Sequence, residues 1–359
     1  MFILYFLALT FSILVVGQQF NVAPQEHFVH NVPGTYPRIT RLSDNSILFG
    51  FTTFGPNGER ILKISRSIDQ GRTFAPHGEV ARCPRADCDN IFLLEVPSPN
   101  GPVVLAAFRN HDWDNPQRQN YTWFRITICQ STDGGRSWTY LSQGFQKPAP
   151  FGAWEPFLRL NQDKTQIQLY FSKELSKTDQ DTILVISHDR GRTWSAPATV
   201  TGGGERLRDG MVGVAKTRDT AIGRDVLVMV LETTRKGTFS VESVVSYDDG
   251  ATWGFRRVVH EARDGRNVGA PQIASFGDGS VAVVFMTDED TATSAWPNKA
   301  SVKAVFSRAP TNGVFQWGGH QTVGTIASFW PGIMQLHDTA LLSVYENEGR
   351  ICGRLLNVV

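Results

Sequence analysis

The chain has 359 residues, 41% hydrophobic and 11% aromatic, with 35 Lys and Arg against 34 Asp and Glu for a formal net charge of +1. That near-neutral balance, without any Lys/Arg run, leaves no electrostatic footprint for a nucleic acid, so an uncharged partner is expected. No His/Cys cluster has zinc spacing and no EF-hand-like loop occurs, so neither a metal nor another cofactor is expected.

Residues Phe2 to Val16 are apolar except Tyr5, Thr10 and Ser12, and Val15-Val16-Gly17 offers a small-residue cleavage site ahead of Gln18-Gln19. The segment is short for a bilayer span, so residues 1–17 read as a signal peptide and the protein as secreted, without a membrane anchor. The remainder, 18–359, reads as one domain because it is internally repetitive.

Four octapeptides share the pattern S-x-D-x-G-x-[ST]-[WF]: Ser67 to Phe74, Ser131 to Trp138, Ser187 to Trp194 and Ser246 to Trp253, at intervals of about sixty residues. Each reads as a tight hairpin turn in which Asp bonds the turn's own amides and Gly supplies a positive φ. Strand-like runs precede them. The first runs begin Tyr36-Pro37, Glu155-Pro156, Asp209-Gly210, Ala270-Pro271 and Trp330-Pro331, each with Pro or Gly second. A fifth turn, Ser307 to Trp317, is degenerate, and Thr217 to Arg224 lengthens the fourth unit. The octapeptides resemble the Asp-box of sialidase-like propellers, and six units of about sixty residues predict an all-β, six-bladed β-propeller with four antiparallel strands per blade. Residues Phe20 to His30 have no unit of their own and are expected to close the ring.

In such a ring the start of each first strand and the end of each second strand meet at one channel mouth, and the octapeptide turns lie at the other face. The first ring reads Tyr36, Glu155, Asp209, Ala270 and Trp330; the second reads Thr52, Arg109, Ser172, Glu232, Met286 and Tyr345. Glu155 stands in apolar Trp154-Glu155-Pro156-Phe157, which should raise its pKa, and Glu232 ends the apolar run Val226 to Leu231. Two carboxylates in different environments suit glycoside hydrolysis, one protonating the leaving oxygen and the other attacking or activating water. The competing reading of Glu155 is an ion pair with Arg159, and of Glu232 a solvated strand end. Asp209 could bind a sugar hydroxyl, tune a catalytic Glu, pair with Arg208 or cap its strand. Trp154, Trp330 and Tyr345 are candidate sugar-stacking rings, and Arg38, Arg109, His111, Glu174 and Arg208 candidate hydrogen-bonding groups. Cys83 and Cys88 are spaced to close a small disulfide loop, Cys129 and Cys352 could be buried thiols or a second bridge, and Asn120-Tyr121-Thr122 is a glycosylation sequon.

The chain also resembles glycoside hydrolase family 93, the exo-α-1,5-L-arabinanases. The resemblance is carried by Trp154-Glu-Pro-Phe-Leu158, Tyr170-Phe-Ser-Lys-Glu174 with Asp179-Gln-Asp181, Arg208 to Ala215, Leu231-Glu232, Gly269-Ala-Pro-Gln272 and Phe285 to Asp290. It implies a retaining hydrolase that releases arabinobiose from the non-reducing end of linear arabinan, a neutral polysaccharide, with Glu155 as acid/base and Glu232 as nucleophile or the reverse; a monomer is expected. A sialidase, with Arg38, Arg109, Arg208 and Arg350 available to clamp a carboxylate and Tyr345 as nucleophile, is the nearest alternative. A non-catalytic carbohydrate-binding propeller is another.

Overall fold

Apolar runs such as Val226 to Leu231, buried along their whole length, must be covered on both faces, which a strand achieves when its sheet is sandwiched between two others. The computed structural model, which describes residues 19–115, 117 and 120–359, arranges the chain in this way; the expected signal peptide lies outside the described residues. Twenty-four strands form six four-stranded antiparallel sheets, and no helix occurs among the described residues. Five sheets are built in chain order from residues 35–83, 86–148, 153–201, 210–260 and 268–324, so the blades follow one another round the ring. The sixth takes three strands from residues 328–358 and its outermost strand, Phe20–Val29, from the other end of the sequence. That strand pairs antiparallel with Arg350–Val358, and Gln19 and Val359 exchange backbone hydrogen bonds of 3.0 and 2.8 Å, so the expected closure of a six-bladed propeller is present.

The four octapeptide turns carry one hydrogen-bond network. In the first, Ser67 Oγ donates to Asp69 Oδ1 at 2.7 Å and accepts from the Gly71 amide at 2.8 Å, while Asp69 also receives the Arg72 and Thr73 amides at 3.1 and 3.0 Å. Gly71 has φ +75°, and a Cβ there would lie 2.9 Å from Leu342 of the preceding blade, so glycine serves both the turn and the blade interface. Gly135, Gly191 and Gly250 stand in the same relation to Leu48, Leu105 and Tyr170. The turns thus fasten blades one to four each to the previous blade, at the face away from the mouth.

The degenerate fifth turn lacks its Asp, and the blade-four extension supplies one. Asp219 accepts the Asn312 amide at 3.0 Å, the Gly313 amide at 2.7 Å and the Tyr247 hydroxyl at 2.7 Å. Ser307 Oγ still accepts an amide of its own turn, from Gln316 at 3.0 Å. The two departures read separately in the sequence are halves of one contact.

Candidate active site

Each first strand carries a one-residue bulge near its mouth end. The pairing slips between Thr35 and Arg38, Asp89 and Phe92, Trp154 and Phe157, Gly210 and Gly213, Gly269 and Gln272, and Phe329 and Gly332. The bulged residues Tyr36, Asn90, Glu155, Met211, Ala270 and Trp330 all have φ between 44° and 56°. A bulge re-aims a side chain and releases an amide from the ladder, so proline is tolerated immediately after it, as at Pro37, Pro156, Pro271 and Pro331. Two ring assignments need correction on this register. The blade-four position belongs to Met211, not Asp209, and the residue opposite Phe329 at the end of the sixth second strand is Glu346, not Tyr345.

Two of the freed amides are caught by side chains at the second-strand ends of the preceding blade. Ser172 Oγ accepts the Met211 amide at 3.0 Å, and Glu232 Oε2 accepts the Ala270 amide at 2.8 Å. Glu232 is thereby held by one oxygen at the place where blades four and five meet. Burial pushes its pKa up, against the pull of the Ala270 amide and the Arg208 charge. Burial pushes Glu155, on neighbouring blade three, up to about 8, and the Glu232 charge adds to that push while Arg109 and a Ser172 hydrogen bond oppose it. Arg159, the competing partner for Glu155, pairs instead with Asp249 at 2.5 Å. The mouth therefore holds two carboxyl groups whose pKa values are both raised by burial, and at Glu155 the Glu232 charge adds to the rise.

Arg109 is fixed behind Glu155 by two fully buried carboxylates, 3.1 Å from Asp89 and 3.5 Å from Asp87. Arg60 bridges the same pair, Thr52 Oγ1 donates to Asp89 at 2.5 Å, and the Tyr121 hydroxyl donates to Asp87. The Arg109 guanidinium lies 5.3 Å from the ring centroid of Tyr36 and 5.5 Å from that of Trp154. Tyr36 stacks on Trp330 with centroids 4.5 Å apart. Trp154 and Trp330, both part-exposed, are thus brought to the mouth with Glu155, Glu232 and Arg109.

Glu174 and Arg208 form a 2.8 Å ion pair between blades three and four, with Glu174 also accepting the Gly152 amide at 2.7 Å. The other expected residues are spent elsewhere. Asp209 is fully buried, with both oxygens on Arg256 at 2.6 and 3.0 Å, which makes it an internal ion pair rather than a mouth carboxylate. Tyr345 is 1% exposed and packs in the core beside Cys352, because it faces the interface with blade five, not the channel. Arg38 is buried below the bulges, where its Nη1 donates to the carbonyls of Pro37 at 2.8 Å, Pro331 at 3.1 Å and Trp330 at 3.3 Å. His111 is fully buried behind Trp154 among Tyr121 and Phe124, and burial with the Arg109 charge lowers its pKa to about 3, so it is a neutral support for the tryptophan. Cys83 and Cys88 form a disulfide, Cys129 and Cys352 are buried free thiols, and Asn120 is exposed in the hairpin after the second strand of blade two.

Three features escaped the sequence reading. Glu346 has its pKa raised by burial and hydrogen-bonds Thr35. Trp296 comes from the loop after the second strand of blade five, and a Cβ on Gly269 would lie 3.1 Å from its ring and 2.6 Å from Glu232 Oε2. The Asp87 and Asp89 pair completes the set. Placing Glu346 against Glu232, acid on acid, was the signal available in the sequence; Trp296, in an irregular loop, offered none.

No protein-family model matches the sequence, and no curated protein sequence matches it. Among solved structures, a Penicillium chrysogenum α-L-arabinanase complexed with arabinobiose superposes with a TM-score of 0.65 at 16% identity, over 95% of this chain and 97% of that one. A Fusarium graminearum α-L-arabinofuranosidase of glycoside hydrolase family 93, also with arabinobiose, gives 0.64 at 17% identity over 90% and 93%. A sialidase, Hadza microbial sialidase Hz136, gives 0.59 at 14% over 91% of this chain and 66% of that one. What the arabinanase, the arabinofuranosidase and the sialidase share with this chain is the fold, a sialidase-like six-bladed β-propeller.

Proposed function

We propose that the protein is a secreted, retaining glycoside hydrolase that cleaves linear α-1,5-arabinan from its non-reducing end and releases arabinobiose. The observation that carries this reading is the Glu155 and Glu232 pair on neighbouring blades, with the Glu155 carboxyl pushed up to about 8 by burial and by the Glu232 charge. Glu155 protonates the glycosidic oxygen as the bond to the anomeric carbon breaks, and Glu232 attacks that carbon. Water, deprotonated by Glu155, then releases the sugar. Trp154, Trp330 and Tyr36 offer apolar faces to sugar rings, and Arg109 a fixed donor. The sialidase reading loses support because Arg38 is engaged by carbonyls, Arg109 by two aspartates and Arg208 by Glu174, while Tyr345 lies in the core.

The test is incubation with linear arabinan, resolving the earliest products by chromatography, with sialyllactose in parallel. Arabinobiose as the first product, lost in Glu155→Gln and Glu232→Gln, supports the proposal. No arabinan product, with sialic acid released, would reverse it. Undiminished arabinan binding by two inactive Glu variants, with no turnover by the parent, would instead indicate a binding module.

A further inference from the structure

The outer flank between blades four and five holds a cluster that the mouth chemistry does not use. His260 ends the outer strand of blade four, Glu289 follows the second strand of blade five, and His320 precedes that blade's outer strand. One ligand atom from each lies within 4.8 Å of the others. His260 Nε2 is 3.0 and 3.1 Å from the two Glu289 oxygens, and the two imidazole rings stand 5.1 Å apart at 76°. Two imidazoles and a carboxylate at these separations match the donor set of a tetrahedral first-row metal site with one open position.

The surroundings fix the donors. The Thr287 hydroxyl donates to Glu289 Oε2 at 3.1 Å, and Phe285 stacks under His260 at 4.9 Å. The open side faces a cavity of about 710 Å³, lined also by Arg266 and Asp290. Lys303 opposes a cation most directly, with Nζ 3.2 Å from His320 Nε2, 4.0 Å from Glu289 and 2.8 Å from Asp290, and Arg263 and Arg266 add positive charge to the cavity lining. The Lys303 charge balances the two acids when no metal is present and repels an incoming one.

We propose that His260, Glu289 and His320 form a divalent transition-metal site, typified by Zn²⁺, that clamps blade four to blade five and is weakened by the Lys303 ammonium beside it. Metal binding places the His260 proton on Nδ1 and replaces the hydrogen bond to Glu289 by two metal bonds. The ligands come from separate segments 29 to 60 positions apart, which is why no sequence spacing announced them.

Untagged, chelator-stripped protein titrated calorimetrically with Zn²⁺ should bind one ion per chain and melt at a higher temperature for it. His320→Ala, at an exposed position, should weaken binding at least about 100-fold and lose the melting shift. Lys303→Met should tighten binding by about tenfold, because a like charge has gone. No saturable binding, His320→Ala binding as tightly as the parent, or Lys303→Met binding no tighter would each overturn the assignment.

Discussion

Replacing Glu232 by Gln should lower the pKa of Glu155, and the size of the effect follows from the site. Glu155 is raised from 4.5 to about 8, a displacement worth about 5 kcal/mol at ~1.4 kcal/mol per pKa unit. Burial is the largest cause and the Glu232 charge the next. For a retaining pair about 5 to 5.5 Å apart, two unit charges at an effective dielectric of about 20 repel by about 3 kcal/mol. Glutamine keeps the shape and removes the charge, so the Glu155 titration should fall by about two pH units and remain above the ordinary carboxylate range. Infrared difference titration of the protonated carboxyl band checks this, with Glu155→Gln identifying the band. A Glu155 titration that stays near 8 in Glu232→Gln would show that the two groups do not share a site, and the two-carboxylate mechanism would fall with it.

Glu155 should also tax stability. Its folded pKa lies above the unfolded value, so the native state holds the extra proton and stability falls as pH rises from 4.5 to about 8. Glu155→Gln should therefore melt higher than the parent by a margin that grows across that window, as calorimetry at several pH values would record. If the enzyme is active, kcat/KM should fall above about pH 8 as Glu155 loses its proton; a rate still rising there would contradict its role as acid. Trp330→Ala removes the ring stacked on Tyr36 and should raise KM with arabinan about tenfold while sparing kcat, for a stacking contribution of about 1.4 kcal/mol; a fall in kcat alone would place the ring elsewhere in the mechanism. Asp219→Ala strands the amides of Ala221, Asn312 and Gly313 and the Tyr247 hydroxyl, and should cost about 2 to 4 kcal/mol in urea unfolding. An unchanged midpoint would mean that the cross-blade turn contributes nothing.

The architecture was legible because its signals are local and repeated. A Ser, an Asp and a Gly at fixed offsets encode one turn, and four copies encode blades. The placement of Glu155 and Glu232 was legible for a related reason, since an acid opening or closing an apolar strand run is conspicuous against its own repeat. Asp209 and Tyr345 failed on register: the bulge adds one residue to each first strand, and Pro and Gly at the second position look alike in sequence while only Met211 occupies the bulge. A slip of one residue in the last second strand exchanged Tyr345 for Glu346 and a core ring for a mouth carboxyl. The Asp87, Asp89 and Arg60 support of Arg109, like Trp296 beside Glu232, arises from contacts between segments whose spacing carries no pattern.

The strand Phe20–Val29 that completes blade six against Arg350–Val358 imposes an order on biosynthesis. It leaves the ribosome well ahead of the segment it pairs with, by a delay on the order of tens of seconds at ordinary rates of translation. Until then the nascent chain carries an orphaned strand at one end and, once blade six begins, an open sheet edge at the other. Two chains caught at this stage can satisfy each other, each lending its leading strand to the other's final blade, so crowded synthesis favours an exchanged dimer that solitary synthesis does not.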